Sequence, residues 1–138
     1  MNKIMCLDVG TKRIGIALSD YLHVIATPLK FILRTSDRNA IAEIKKIAKE
    51  NNVKKIIVGL PYNMDGSIGF QGENCIKFGN LLEEEFEVIF EDERLSSEEA
   101  EENLRRRKVD FKKNKGLVDM ESACVILQDY LNSKEQQS

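Results

Sequence analysis

Apolar and polar positions follow one rhythm in the first quarter of the chain and another in the rest. The first quarter holds short apolar runs of strand length: "KIMCLD", "IGIALS" and the longer "HVIATPLKFILR". They predict strands at about Lys3–Asp8 and Ile14–Ser19, and a third strand in which Pro28 favours an edge position, because proline cannot donate to a hydrogen-bond ladder. The runs are close in sequence, so an antiparallel meander is the simplest arrangement. Gly15 and Ala17 leave one face of the second strand small.

Helical spacing begins with "RNAIAEIKKIAKENN", where Ile41, Ile44, Ile47 and Ala48 share a face. Asp37 is the expected cap and the Asn51-Asn52 pair the expected end. "VKKIIVGLP" reads as a buried strand and "YNMDGSIGFQGE" as a glycine-rich loop. A helix with Cys75, Phe78, Gly79 and Leu82 on one side follows. "FEVIFEDE" is a fifth strand ending in acids, and "SSEEAEENLRRR" opens a helix with Ser96 and Glu99 at capping-box spacing. "LVDMESACVILQDYL" is the last helix. The order β-β-β-α-β-α-β-α-α predicts an α/β fold, a mixed sheet with helices on both faces. We expect a single domain over residues 1–132 and a disordered tail over 133–138.

Composition narrows the chemistry. A chain of 138 residues can bury a full core. No apolar stretch approaches twenty residues, so no membrane span is expected, and the N-terminus lacks the layout of a signal peptide. Three cysteines without metal-type spacing suggest reduced thiols and a cytoplasmic protein. A single histidine, His23, disfavours histidine-based metal sites and triads. Chemistry would then fall to carboxylates, lysine or hydroxyls. The net charge of −2 argues against a generally basic nucleic-acid binder. Yet "NLRRRKVDFKKNK" (Asn103–Lys115) concentrates positive charge. Such a run is ordinarily a solvated helix face, but a local patch can also bind a polyanion.

The acids carry the sharpest signal. Asp8 ends an otherwise buried strand, where a charge costs several kcal/mol unless it is paired or metal-bound. A turn residue bonding its own loop is the alternative. Asp92 and Glu93 repeat the pattern on the fifth strand, and Asp119 begins the last helix, where a dipole would also favour an acid. Carboxylates converging from separate elements bind Mg²⁺ or Mn²⁺. Two such ions activate water and stabilise the leaving oxygen of a phosphodiester, with no need of histidine or a covalent nucleophile.

"LDVGTKRIGIALSD", "IIVGLPYNMDGS", "EDERLSSEEAEENL" and "NKGLVDMESACVILQDYL" resemble the four motif blocks of the RuvX/YqgF family, in family order and spacing over nearly the whole chain. That resemblance implies an RNase H-like mixed five-stranded sheet with its first three strands antiparallel. It implies a metal-dependent nuclease that matures the 5′ end of precursor 16S ribosomal RNA, with Holliday junction resolution as the alternative. It carries Asp8, Glu93 and Asp119 over as catalytic, metal-holding acids, with Asp92 the weaker alternative to Glu93. The implied cofactor is Mg²⁺ or Mn²⁺, two ions. The implied partner is nucleic acid, precursor rRNA or branched DNA, bound by a monomer or homodimer without a membrane. Tyr62 and Ser97 depart from the family pattern and touch none of the acids.

On this reading Gly10 turns the chain beside the metal, and Thr11, Lys12 and Arg13 meet phosphate oxygens. Arg94 contacts phosphate or orients the neighbouring acids. Lys115 contacts phosphate or neutralises the carboxylates. Asn63, Asp65 and Ser67 border the substrate, or form an ordinary Asp-Gly turn. Two other classes compete. The "D-x-G-T" start also opens the phosphate loop of actin-like ATPases, which need a second domain that this length excludes. A non-catalytic RNA-binding assembly factor on a nuclease fold would keep the sheet without cleaving.

Overall fold

The computed structural model describes residues 1–93 and 96–137, without the side chains of 96, 97 and 135–137. The strands are β1 (Lys3–Val9), β2 (Arg13–Ser19), β3 (Ala26–Leu33), β4 (Val53–Leu60) and β5 (Glu87–Asp92). The helices are α1 (Asp37–Glu50), α2 (Phe70–Asn80), α3 (Ser96–Arg106) and α4 (Lys115–Gln137). The strands form one sheet in the order β3-β2-β1-β4-β5. β1, β2 and β3 pair antiparallel as a meander, while β4 lies parallel to both β1 and β5. Pro28 sits on the edge strand, opposite Ala17 and next to a register shift in the β2–β3 ladder.

Strand side chains alternate between faces, and here the alternation sorts the core into two layers. Met5, Leu7 and Val9 of β1, Ile14, Ile16 and Leu18 of β2, and Ile56, Val58 and Leu60 of β4 pack with α1 and α2. Ile4 and Cys6 of β1, Ala17 of β2 and Ile57 of β4 pack under α4 through Ala123, Ile126, Leu127 and Tyr130. The same parity puts Asp8, Arg13, Gly15 and Gly59 on the α4 face.

Two local expectations change, and a third falls where no side chain is described. Ser36, not Asp37, is the N-cap of α1: it is extended, and its side chain accepts a hydrogen bond from the Asn39 N–H. Asp37 is the first helical residue and is held by Arg34 at 2.8 Å. The capping box at Ser96 lies outside the described side chains. The last helix begins at Lys115 and continues to Gln137, so helix covers residues 133–137 of the expected disordered tail. Lys, Glu and Gln are good helix formers, and they extend a helix already anchored by buried Tyr130 and Leu131.

Candidate active site

The acids gather where β1, β4 and β5 end in the same direction. Asp8 is the last residue but one of β1, and Gly15 of β2 lies directly opposite it in the ladder. Glu93 follows β5, and its N–H donates to the Leu60 carbonyl at the end of β4, 3.2 Å away. Parity separates the two acids of "EDE". Val88 and Phe90 pack with the α1/α2 layer, and Asp92 shares their alternation. Ile89 packs under α4, and Glu93 continues that alternation toward Asp8. Asp92 is exposed at the strand end and reaches Glu93 as a repelling charge.

Asp8 and Glu93 are hydrogen-bonded to each other through their side chains. Burial, the Glu93 charge and the nearby Asp119 all push the Asp8 carboxyl well above the usual carboxylate range. Glu93 is raised as well, first by burial. Two like-charged carboxylates in contact hold a proton between them rather than ionise together. Their field extends into the core, where burial and then Asp8 and Glu93 raise the Cys6 thiol.

Asp119 is in the second turn of α4. Its Oδ2 accepts from Arg13 Nε at 2.8 Å, with about a quarter of each side chain exposed (28% and 26%). Two glycines permit this convergence. A Cβ on Gly15 would overlap the Asp119 backbone carbonyl, so α4 could not approach β2 there. A Cβ on Gly59 would come within 2.6 Å of Glu93 Oε2. Glycine inside a strand marks close approach of another group. That signal was open to use at Gly59, which the motif reading passed over.

The donor set suits a hard divalent cation. Asp8 and Glu93 are oxygen donors already in contact, and no cation among the described residues shifts Asp8. A third carboxylate, Asp119, is near enough to act on Asp8. Among the described residues, however, no three His, Cys, Asp or Glu side chains gather tightly enough to share an ion. Asp8 and Glu93 form a pair, and Asp119 is drawn onto Arg13.

The other expected contacts divide. Thr11 and Lys12 are exposed in the β1–β2 turn. That turn is closed by Gly10 N–H to the Arg13 carbonyl (2.9 Å) and braced by Arg34, whose guanidinium donates to the Gly10 carbonyl (2.9 Å). The bracing role of Arg34 had no motif to announce it. Asn63, Asp65 and Ser67 follow β4 and bond mainly to one another. Ser67 donates through both N–H and Oγ to Asp65 Oδ1, and Asn63 Nδ2 donates to Ser67 Oγ. The segment has the geometry of a self-contained Asp-Gly turn, with Gly66 at φ +87°. Lys115 is exposed at the start of α4 and shares a pocket with Arg13 and Asp119. Arg94 lies outside the described residues.

Part of the basic run is neutralised locally. Arg105 pairs with Glu101 and Glu102, Arg106 with Glu102, and Arg107 with Glu121 at 2.8 Å. Lys112, Lys113 and Lys115 have no ion-pair partner among the described residues, and they lie nearest Asp119 in the chain.

Known proteins share the sequence and the fold of this chain. The family model RuvX, described as Holliday junction resolvase, matches residues 2–133. A Clostridioides difficile protein named "Putative pre-16S rRNA nuclease" is 46% identical over 134 residues, covering 96% of this chain and 95% of its own. A Synechocystis protein of the same name is 45% identical over 128 residues, covering 91% and 84%. Among solved structures, the Fowlpox virus resolvase in complex with Holliday junction DNA superposes with a TM-score of 0.62 at 16% identity, covering 96% of this chain and 98% of that one. Thermus thermophilus RuvC superposes with a TM-score of 0.57 at 11% identity, covering 98% and 96%. These likenesses carry the fold, an RNase H-like sheet of the resolvase type. The family match over nearly the full length carries more: the chain belongs to the RuvX family.

Proposed function

We propose that this chain is a metal-dependent nuclease that hydrolyses phosphodiester bonds of precursor 16S rRNA at its 5′ end, in the cytoplasm. The observation that carries the chemistry is the contact between Asp8 and Glu93, which no cation among the described residues offsets. In this reading Asp8, Glu93 and Asp119 hold Mg²⁺ or Mn²⁺, two ions. Bound there, the ions supply positive charge to the attacking and leaving oxygens of the phosphodiester. The protein's own part is positional. Gly15 and Gly59 let the acids approach, and the pairing of β1 with β2 and β4 fixes Asp8 against them. Arg13 pairs with Asp119, and in this reading Lys12 and Lys115 face incoming phosphate from the two sides of the β1–β2 turn and α4. The relatives' name supports the RNA substrate.

A cleavage panel tests this. Single-stranded RNA, precursor 16S rRNA fragments, duplex DNA and a four-way DNA junction are incubated with Mg²⁺, Mn²⁺ or chelator. Cation-dependent cleavage of the rRNA fragments is expected. Preference for the junction would favour resolution, a reaction on two symmetric strands that calls for a dimer. Binding without cleavage under any cation would make the chain an assembly factor.

A further inference from the structure

One aromatic residue sits within the basic run, in "KVDFKKNK", and the nuclease reading has not used it. Phe111 is half-buried in the connection between α3 and α4. The Arg105 guanidinium lies 5.6 Å from the centre of its ring. Phe111 lines two neighbouring pockets. One, of about 300 Å³, is completed by Val118 on its apolar side and by Arg13, Lys112 and Lys115 on its positive side. Glu101 and Asp119 contribute carboxylates to the same pocket, which therefore reaches the Arg13–Asp119 side of the candidate active site. The other pocket joins Phe111 to Arg105, Lys108 and Lys112.

An aromatic ring among cations is the arrangement that holds a single-stranded nucleic acid: bases stack on the ring and cations follow the backbone. A paired base is unavailable for such stacking unless the duplex opens. Lys112 and Lys115 have no ion pair among the described residues, so both ammonium groups are available to phosphate. We infer that Phe111 is a stacking platform for one unpaired base beside the scissile phosphate, making this a nuclease for single-stranded or locally opened substrate. The phosphate next to the stacked base then falls between Lys112, Lys115 and Arg13, within reach of Asp119. The inference rests on the nuclease reading and adds the strandedness of the substrate at the cut.

The chain contains no tryptophan, so Phe111→Trp installs a unique fluorescent reporter at the site. Single-stranded RNA is titrated into this variant in the presence of chelator. The same RNA is titrated with Phe111→Leu and with the parent, followed by anisotropy of a labelled oligonucleotide. Three outcomes are expected together. Phe111→Trp binds about as tightly as the parent, and its emission is quenched by single-stranded RNA but little by a blunt duplex. Phe111→Leu binds single-stranded RNA roughly ten- to a hundredfold more weakly, the range set by one base–aromatic stack. In the presence of Mg²⁺ or Mn²⁺, both variants retain the parent's cut position.

Equal binding by Phe111→Leu and parent, or equal quenching by duplex and single strand, overturns the platform while leaving the nuclease reading intact. A parent that neither binds nor cleaves RNA or DNA overturns both. A Phe111→Leu variant weakened equally for duplex and single strand assigns the ring to loop packing, and the inference fails.

Discussion

Two carboxylate contacts stand at one end of the sheet, and they are built on opposite principles. Asp119 is compensated: the Arg13 guanidinium bonds it at 2.8 Å, and both side chains keep some access to solvent. Among the described residues no cation faces Asp8 and Glu93, and burial, Glu93 and Asp119 all raise the Asp8 pKa. A compensated acid is satisfied by the chain alone. An uncompensated pair is satisfied only by a proton or by a cation from solution. On the proposed reading a cation would be drawn first to the second contact, and Asp119 of the first would be a further ligand only once released from Arg13.

The largest effect separating the two is on cleavage. Asp8→Asn keeps the shape of the side chain and removes the charge that attracts a cation. We expect cleavage to fall by at least about a hundredfold, on the scale of losing a principal electrostatic element of a site. The fold should survive, because an amide can hydrogen-bond Glu93. A labelled-substrate assay with circular dichroism checks both. Parent-level cleavage by a folded Asp8→Asn would refute the metal role of the pair.

Next in size is the response to metal. Divalent cation should raise the melting temperature of the parent by several degrees and that of Asp8→Asn by much less, since a ligand that binds only the folded state stabilises it by mass action. Equal shifts would place the cation elsewhere.

Much of this contrast was legible in the sequence. Asp8 was visible because a charge ending the run Ile4–Leu7 is costly unless it is paired, metal-bound or turned onto its own loop, and the strand order followed from short apolar runs giving way to helical spacing. The motif resemblance favoured Glu93 and left Asp92 open as the weaker alternative; the face parity of β5 that separates the two, carried one residue past the strand, needed the register. The pairing of Arg13 with Asp119 joins residues 106 apart in the chain, and no local pattern encodes such a contact. Gly59 was visible but read as an ordinary strand residue. The cap of α1 slipped by one residue because Ser36 and Asp37 are both good capping types, and only backbone conformation separates them.

A smaller effect follows from the sign of the Asp8 shift. Its folded-state pKa is raised, so the folded protein binds this proton more tightly than the unfolded chain. The stability linked to it is fully present below the unfolded value, near pH 4, and is lost as pH rises through the raised folded value. In chelator, the parent should therefore lose stability across that window relative to Asp8→Asn, and excess Mg²⁺ should remove the difference. Urea melts at intervals from pH 4 to 8 measure it. Parallel profiles for the two proteins would mean that the pair carries no trapped proton.

The smallest effect belongs to the compensated contact, and it tests whether Arg13 is a partner or a competitor. Both side chains are partly solvated, so breaking the pair should cost no more than about 1 kcal/mol of stability. A double-mutant cycle of Arg13→Gln and Asp119→Asn would read that coupling. The informative quantity is the metal response. If Arg13 occupies the oxygen that a cation needs, Arg13→Gln frees Asp119 and removes a positive charge from the site. The metal-induced rise in melting temperature should then grow, while RNA binding in chelator weakens because a phosphate-facing cation is gone. Asp119→Asn should move the metal response the other way. A metal response that is unchanged or smaller in Arg13→Gln would make the guanidinium a fixed strut between β2 and α4. Asp119 would then hold the helix in place, and the cation would rest on Asp8 and Glu93 alone.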